Sequence, residues 1–288
     1  MKKYRILILG KSNVGKSSLI NCLKDDHAAL VSNKLHSSRI SLVHEFNFKN
    51  SNIELVDTPG ASIENTNLLA QAMKSHASKH IIDCDLIILL TQPQKNYNHE
   101  LKILNQINES KKQYILCVNK IDQDPTQTFK IKLLKELNVD HYLPISAKEL
   151  IGIGNLLSKI NNHISTKNNL NKNYVSKNNE KNIIQELIRE SIFNRTNEEV
   201  PYESAVCVRK IESKNTNTII NADIIVSKLN HKKIIIGKNG EMIKNIGIIS
   251  REKIETLLNK KIHLTLFVVV KENWKNDTDL LKELGYID

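Results

Sequence analysis

The feature that most constrains this chain is a glycine-rich stretch that directly follows an apolar run near the N-terminus. Residues 6–9 read Ile-Leu-Ile-Leu, and residues 10–18 read Gly-Lys-Ser-Asn-Val-Gly-Lys-Ser-Ser. The pattern Gly-x-x-x-x-Gly-Lys-Ser between a strand and a helix is that of a phosphate-binding loop, whose backbone N–H groups surround phosphate oxygens. The residues expected to bind the nucleotide phosphates are Gly10, Lys11, Ser12, Asn13, Val14, Gly15, Lys16, Ser17 and Ser18.

A second motif supplies what a nucleotide switch needs. Residues 53–56 read Ile-Glu-Leu-Val, which predicts a strand, and residues 57–60 follow as Asp57, Thr58, Pro59 and Gly60. An Asp-x-x-Gly sequence at a strand end can hold magnesium through its carboxylate and sense the γ-phosphate through the glycine N–H. We expect Lys16 to reach the β- and γ-phosphates and the Ser17 hydroxyl to bind Mg²⁺ together with Asp57.

Two further motifs predict recognition of guanine. The apolar run 114–118 ends in Asn119, Lys120, Ile121 and Asp122. An aspartate here can accept hydrogen bonds from guanine N1–H and its amino group, which adenine does not offer. Asn119 and Lys120 are expected to brace the base and the phosphate loop. After the strand-like residues 142–145, the backbone N–H groups of Ser146, Ala147 and Lys148 can meet the guanine oxygen.

The four motifs occur in one order, each after a predicted strand, and the strands alternate with helical segments. Any one of them is compatible with an ordinary strand-end turn, but alternation of strands and helices predicts an α/β fold with a mostly parallel sheet and a ligand at the carboxyl ends of its strands. The set resembles the translation-factor-related class of small GTPases. The fold class expected is a P-loop GTPase domain followed by a smaller α+β domain.

Composition adds weaker constraints. The 288 residues are enough for about two domains, and the formal net charge of +11 is spread evenly over both halves, so that global charge does not locate a nucleic-acid site. The four cysteines are scattered without metal or redox spacing, which fits small buried side chains in a reducing cytoplasm. No apolar run approaches the roughly 20 residues of a membrane span, so a soluble protein is expected.

The second half predicts a separate RNA-binding domain. We expect a GTPase domain over residues 1–165, a polar linker over 166–182 and a KH domain over 183–288, with helix, two strands, two helices and strand in that order. Residues 236–244 read Ile-Gly-Lys-Asn-Gly-Glu-Met-Ile-Lys and resemble the Ile-Gly-x-x-Gly-x-x-Ile core of type II KH domains, whose glycine loop approaches about four nucleotides of backbone. The candidate RNA-binding residues are Lys232, Lys233, Ile236, Gly237, Lys238, Asn239, Gly240 and Lys244.

A short C-terminal helix is expected, capped by Asn276 or Asp277.

A GTPase domain followed by a KH domain, a tryptophan and a terminal Leu-Gly-Tyr-Ile-Asp resembles the bacterial Era family over almost the whole chain. The resemblance implies a GTP-switched assembly factor that binds small-subunit rRNA near its 3′ end. It also implies the small ribosomal subunit as partner, a monomer, and a cytoplasmic location with weak peripheral contact at the inner membrane. The catalytic set carried over is Lys16, Ser17, Ser38, Asp57 and Gly60, with Ser38 joining Ser17 and Asp57 around Mg²⁺.

Two departures from common GTPase patterns, and one match to a subset of GTPases, shape the expected activity. Residues 37–39 read Ser-Ser-Arg where the family has Thr-Thr-Arg, which predicts looser ordering of that switch. Ala61 stands where Ras-like enzymes carry a water-orienting Gln, so slow intrinsic turnover is expected. Asn13 matches the cation ligand of potassium-activated relatives, so K⁺ is expected to stimulate hydrolysis. Two other functions fit the same residues: an RNA chaperone with incidental turnover, and a signalling GTPase whose KH-like domain binds protein.

Overall fold

The chain divides into two compact units. The computed structural model describes residues 2–24, 42–48, 51–58, 67–166, 180–213 and 217–287. The first unit draws its described residues from the ranges 1–65 and 73–177, and the second from 66–72 and 178–288. The expected switch residues 37–39, the linker residues 167–179, and Pro59, Gly60 and Ala61 lie outside the described residues.

The first unit is built on a six-stranded sheet with the order β2-β3-β1-β4-β5-β6. Its strands are β1 (Lys2–Leu9), β2 (Leu42–Phe48), β3 (Ser51–Asp57), β4 (Leu86–Thr91), β5 (Tyr114–Val118) and β6 (Leu143–Pro144). Its helices are α1 (Lys16–Lys24), α2 (Leu68–Asp83), α3 (Asn98–Glu109), α4 (Lys130–Leu137) and α5 (Ile153–Thr166), although residues 68–72 of α2 are counted with the second unit. All pairings are parallel except the edge pair of β2 and β3, so the expected mostly parallel sheet is confirmed.

Apolar cores on both faces of this sheet explain why the central strand β4 is almost entirely apolar. Every residue of β4 is buried, as expected for a parallel strand covered on both sides. One core contains apolar residues of α1 and α5, and the other contains residues of α2, α3 and α4. Because parallel strands finish at one edge, the segments that follow β1, β3, β5 and β6 gather there, and these are the four predicted nucleotide motifs.

The second unit contains α6 (Glu180–Arg195), β7 (Ser204–Ser213), β8 (Asn217–Val226), α7 (Leu229–Ile236), α8 (Glu241–Leu258), β9 (Lys261–Val270) and α9 (Thr278–Glu283). Its sheet has the order β7-β8-β9, with β8 antiparallel to β7 and parallel to β9. One apolar core joins α6, α7 and α8 to this sheet. The element order is the one that the sequence predicts for a type II KH domain.

Some element ends differ from the sequence expectations. Helix α6 begins at Glu180, three residues before the expected start of the second domain at residue 183, and its first acidic side chain complements the positive end of the helix dipole. The short C-terminal helix α9 is capped by Asp277, whose side chain accepts a hydrogen bond from the Leu280 N–H at 3.0 Å. None of the helices in the described ranges has the length and apolar character needed to cross a membrane.

Candidate nucleotide site and nucleic-acid interface

The phosphate-binding loop places its lysine at the centre of the site. Lys16 is 8% exposed, and its ammonium donates hydrogen bonds to the carbonyl oxygens of Gly10 at 2.9 Å and Lys11 at 2.8 Å. Burial lowers the pKa of this ammonium, and the nearby Asp57 carboxylate only partly opposes the effect. A buried cation of this kind is stabilised when phosphate oxygens bind beside it.

Asn119 ties the phosphate loop to two other segments. Its side chain is 2% exposed, its Nδ2 donates to the Val14 carbonyl at 2.8 Å, and its Oδ1 accepts from the Ala147 N–H at 2.9 Å. Gly15 makes this close approach possible, because a Cβ there would lie 2.3 Å from Asn119 Nδ2 and the residue has a φ of +95°. One amide therefore joins three of the four nucleotide motifs.

The guanine-recognition residues are also held in place by hydrogen bonds. Lys120 has left-handed backbone geometry, and its ammonium donates to the Asn13 carbonyl at 2.6 Å. Burial lowers the pKa of Lys120, and the charge of Asp122 acts in the opposite direction. Asp122 Oδ1 accepts a hydrogen bond from the Ser146 hydroxyl at 2.6 Å, which fixes the carboxylate that is expected to read guanine.

The residues expected to hold magnesium fit a hard divalent cation. The Ser17 hydroxyl donates to Asp57 Oδ2 at 3.4 Å, and Asp57 is 4% exposed, so that a hydroxyl oxygen and a carboxylate converge at the mouth of the loop. Oxygen donors of these two types are the ligands that Mg²⁺ prefers. The Thr58 hydroxyl donates to the Ile8 carbonyl at 2.8 Å and anchors the segment to β1. Ser38, the third expected ligand, lies outside the described residues.

Comparisons with known proteins agree with this geometry. A family model described as "50S ribosome-binding GTPase" matches residues 5–120, and a model described as "KH domain" matches residues 199–275. The GTPase Era of Fusobacterium nucleatum is 35% identical over 297 residues, with both chains covered completely. The GTPase Era of Lactobacillus helveticus is 35% identical over 291 residues, covering 98% of this chain and 95% of the relative. The chain belongs to the Era family of GTPases.

Two solved Era structures match the chain over its full length. A tyrosine-to-alanine variant of Aquifex aeolicus Era, bound to GDP.AlF4⁻, has a TM-score of 0.88 and 27% identity, with both chains covered completely. A second Era structure, in complex with MgGDPNP and nucleotides 1506–1542 of 16S ribosomal RNA, has a TM-score of 0.87, 27% identity and the same coverage. The Era-family chain therefore combines a P-loop GTPase domain with a C-terminal KH domain.

The KH loop of this Era-family chain presents glycines and lysines at the surface. Gly237 follows α7 with a φ of +74°, and a Cβ there would lie 2.6 Å from Met242 Cβ, so this position requires glycine. Asn239 and Gly240 also have positive φ, which turns the chain into α8. Lys233, Lys238, Asn239 and Lys244 are exposed or partly exposed, as are Lys232, Ile236, Gly237 and Gly240. The loop is thus accessible and basic.

The site also contains features that the sequence did not indicate. The sequence suggested backbone N–H groups at residues 146–148, whereas the structure adds the Ser146 hydroxyl as a brace for Asp122. Lys148 pairs with Glu149 at 2.9 Å and its side chain is 82% exposed. Glu100 of α3 lies 3.4 Å from the Lys11 ammonium and was not among the candidates. An acidic residue in the first turn of a helix is too common a feature to have singled it out.

Proposed function

We propose that this Era-family GTPase is an assembly factor for the small ribosomal subunit that binds small-subunit rRNA near its 3′ end through the KH domain, under control of GTP and GDP. The observation that carries the proposal is the accessible, glycine-hinged basic loop at Gly237–Gly240, on a chain that matches end to end a relative solved with MgGDPNP and a 16S rRNA fragment. The family description that names the 50S particle covers the GTPase domain alone.

The nucleotide assignments form the first part of the proposal. Lys16 stabilises the negative charge that develops on the phosphates during attack by water, and the loop N–H groups share this role. Asp122 reads guanine while Asn119, Lys120, Ser146, Ala147 and Lys148 surround the base. Ser17, Ser38 and Asp57 hold Mg²⁺, which supplies a positive charge beside the phosphate oxygens. Gly60 senses the γ-phosphate, and Thr58 and Pro59 complete this segment.

Potassium stimulation is the second part. The side chain of Asn13 is exposed at the loop, and Ala61 offers no amide to orient water, so that a monovalent cation near Asn13 supplies charge during hydrolysis. Hydrolysis by wild type should be faster in potassium than in sodium chloride at equal ionic strength, and Asn13→Ala should remove the difference. Equal wild-type rates in the two salts would exclude the cation role.

The RNA assignments rest on charge and exposure. Lys232, Lys233, Lys238 and Lys244 lie around the glycine loop, and each has solvent access. Lysines that contact phosphates release counterions, so binding should weaken steeply with salt. Gly237 and Gly240 let the backbone approach the sugar-phosphate chain, and Ile236 contributes apolar surface under the bases. We propose that the protein acts as a monomer in the cytoplasm, with weak peripheral contact at the inner membrane.

The decisive experiment measures RNA binding in two nucleotide states. A labelled RNA spanning 16S nucleotides 1506–1542 is titrated with protein loaded with GDPNP or GDP, at several salt concentrations. We expect tighter binding with GDPNP, and Lys238→Ser should reduce the salt slope by about one. The matched control is Lys282→Ser, because Lys282 is exposed on α9 away from the glycine loop in sequence.

The outcomes distinguish the competing functions. Equal RNA affinity with GDPNP and GDP would contradict nucleotide control and favour a chaperone with incidental turnover. The absence of RNA binding by wild type and by Gly237→Asp alike would favour a signalling GTPase whose KH domain binds protein. Loss of binding in Gly237→Asp and in Lys238→Ser, with Lys282→Ser unchanged, would support the KH loop as the RNA site.

A further inference from the structure

A fully buried carboxylate lies next to the phosphate-binding loop. Glu100, in the first turn of α3, is 0% exposed. Its Oε1 accepts a hydrogen bond from the Thr91 hydroxyl at 3.1 Å. Its Oε2 is buried without a hydrogen-bond donor among the described residues, and the Lys11 ammonium lies 3.4 Å from it. Burying a carboxylate away from water destabilises a protein unless the charge is paired. The Lys11 ammonium supplies the charge that pairs with Glu100.

Lys11 is the second residue of the phosphate-binding loop, and its side chain is directed into this polar cluster. Its ammonium also lies 3.5 Å from the Gln94 side-chain oxygen, and the Gln94 amide donates to the Thr91 hydroxyl at 3.3 Å. The side chain of Lys11 is 32% exposed, so the charge is only partly shielded by water. The Lys11 side chain is therefore held by Glu100 of α3 and by Gln94 of the segment that follows β4.

The backbone of Lys11 connects this cluster to the phosphate site. Its carbonyl oxygen accepts a hydrogen bond from the Lys16 ammonium at 2.8 Å. At the other end of the cluster, the Thr91 carbonyl accepts from the Asn119 N–H at 2.8 Å. Glu100 thus contacts one residue that supports Lys16 and another that supports Asn119.

We propose that Glu100 is a positioning residue for GTP hydrolysis. By fixing the Lys11 side chain, it fixes the Lys11 carbonyl on which the Lys16 ammonium rests, and so sets where that charge meets the phosphates. Small displacements of a group that stabilises a transition state reduce turnover strongly. Glu100 and Lys11 contact one another through their side chains and not through a loop N–H group, so we expect nucleotide binding to change less than turnover. The inference rests on GTP hydrolysis alone and is independent of RNA binding.

The test is a double-mutant cycle on GTP hydrolysis. Glu100→Gln keeps the side-chain shape and removes the charge, and Lys11→Met removes its partner while leaving the backbone carbonyl. We expect each variant to lower kcat about fivefold with KM for GTP and Kd for GDP changed by less than about twofold. If Glu100 acts through Lys11, the double variant should be no slower than either single variant.

The matched control is Glu136→Gln. Glu136 lies on α4, where it pairs with Lys132, and it accepts a hydrogen bond at 2.8 Å from the N–H of Tyr97, the residue before α3. It is therefore a carboxylate that contacts the start of α3 and whose partners lie outside the phosphate loop. We expect its kcat to match wild type. Multiplicative losses in the double variant, equal losses in Glu136→Gln, or a parallel loss of GDP affinity would each overturn the proposal. If Glu100→Gln does not fold, Lys11→Met is tested by itself, and a kcat equal to that of wild type would overturn the proposal.

Discussion

Replacing Asn119 with alanine tests how the nucleotide site is assembled. The substitution removes the donor to the Val14 carbonyl and the acceptor of the Ala147 N–H in one step. Val14 is 1% exposed and Ala147 is 6% exposed, so water has little access to either group. The phosphate loop and the 146–148 segment would each lose a support, because the alanine side chain can contact neither.

The magnitude follows from the two lost hydrogen bonds. A buried donor or acceptor left without a partner costs about 1–3 kcal/mol, so two such groups predict a loss of about 2–4 kcal/mol after partial relaxation. Some of this cost should appear in the free energy of unfolding of the nucleotide-free protein. The rest should appear in binding, where about 1.4 kcal/mol corresponds to a tenfold weaker affinity for GDP. We therefore expect GDP to bind about 10- to 100-fold more weakly.

Titration with a fluorescent GDP analogue measures the affinity, and thermal unfolding followed by circular dichroism measures the stability. Asn162→Ala is the matched control, because Asn162 is exposed on α5 of the same unit. It should bind GDP and unfold like wild type. If Asn119→Ala bound GDP within about twofold of wild type and unfolded at the wild-type temperature, the reasoning from buried hydrogen bonds would be wrong.

Three further predictions concern the second unit, whose unfolding is followed by the fluorescence of the single tryptophan. Burial raises the pKa of Glu203, but the hydrogen bonds from Lys275 and Ser227 and the nearby positive charge together hold that pKa below its usual value of 4.5. Glu203→Gln should therefore lower the free energy of unfolding by about 0.5–1 kcal/mol above pH 4.5, and this difference should vanish as pH falls through the lower folded-state pKa. A pH-independent difference would contradict this. Gly237→Ala should lower the free energy of unfolding by about 2 kcal/mol and Gly240→Ala by about 1 kcal/mol. Both glycines have positive φ, but only at Gly237 would the added Cβ clash with a neighbouring residue. Equal urea midpoints for the two variants would refute this ranking. Asp277→Ala removes the N-cap of α9 and should lower the free energy of unfolding by about 1 kcal/mol. An unchanged melting temperature would exclude that role for Asp277.

Local patterns predicted the architecture because each motif carries its own geometric requirement. The apolar residues of β4 and β5 indicated buried strands, and the structure places them inside the sheet. The antiparallel pairing of β2 with β3 also has a local cause in the sequence, beyond the expectation of a mostly parallel sheet. Phe48 and Ser51 end and begin consecutive strands with two residues between them, and so short a connection joins antiparallel strands, because a parallel pair needs a long crossover.

Side-chain partners from distant segments could not be predicted in this way. The Ser146 hydroxyl donates a hydrogen bond to Asp122. The sequence does not indicate this contact, because it depends on how β5 and β6 align. Asn119 could be assigned a bracing role from its motif, but the two groups that it contacts became identifiable only with the fold. Pairings of this kind depend on register, and register is a property of the assembled sheet.

Glu100 and the lysines of the KH loop differ in whether their environment can be predicted from the sequence. An acidic residue at the start of α3 reads as a solvated group that complements the helix dipole, and only the fold reveals that Glu100 is buried beside Lys11. Lys233 and Lys238, in contrast, have the solvent access that their pattern predicts. Surface charge therefore follows from local sequence, whereas a buried charge needs a partner supplied by tertiary structure. The positioning role of Glu100 is accordingly the part of the nucleotide site that depends most directly on the fold.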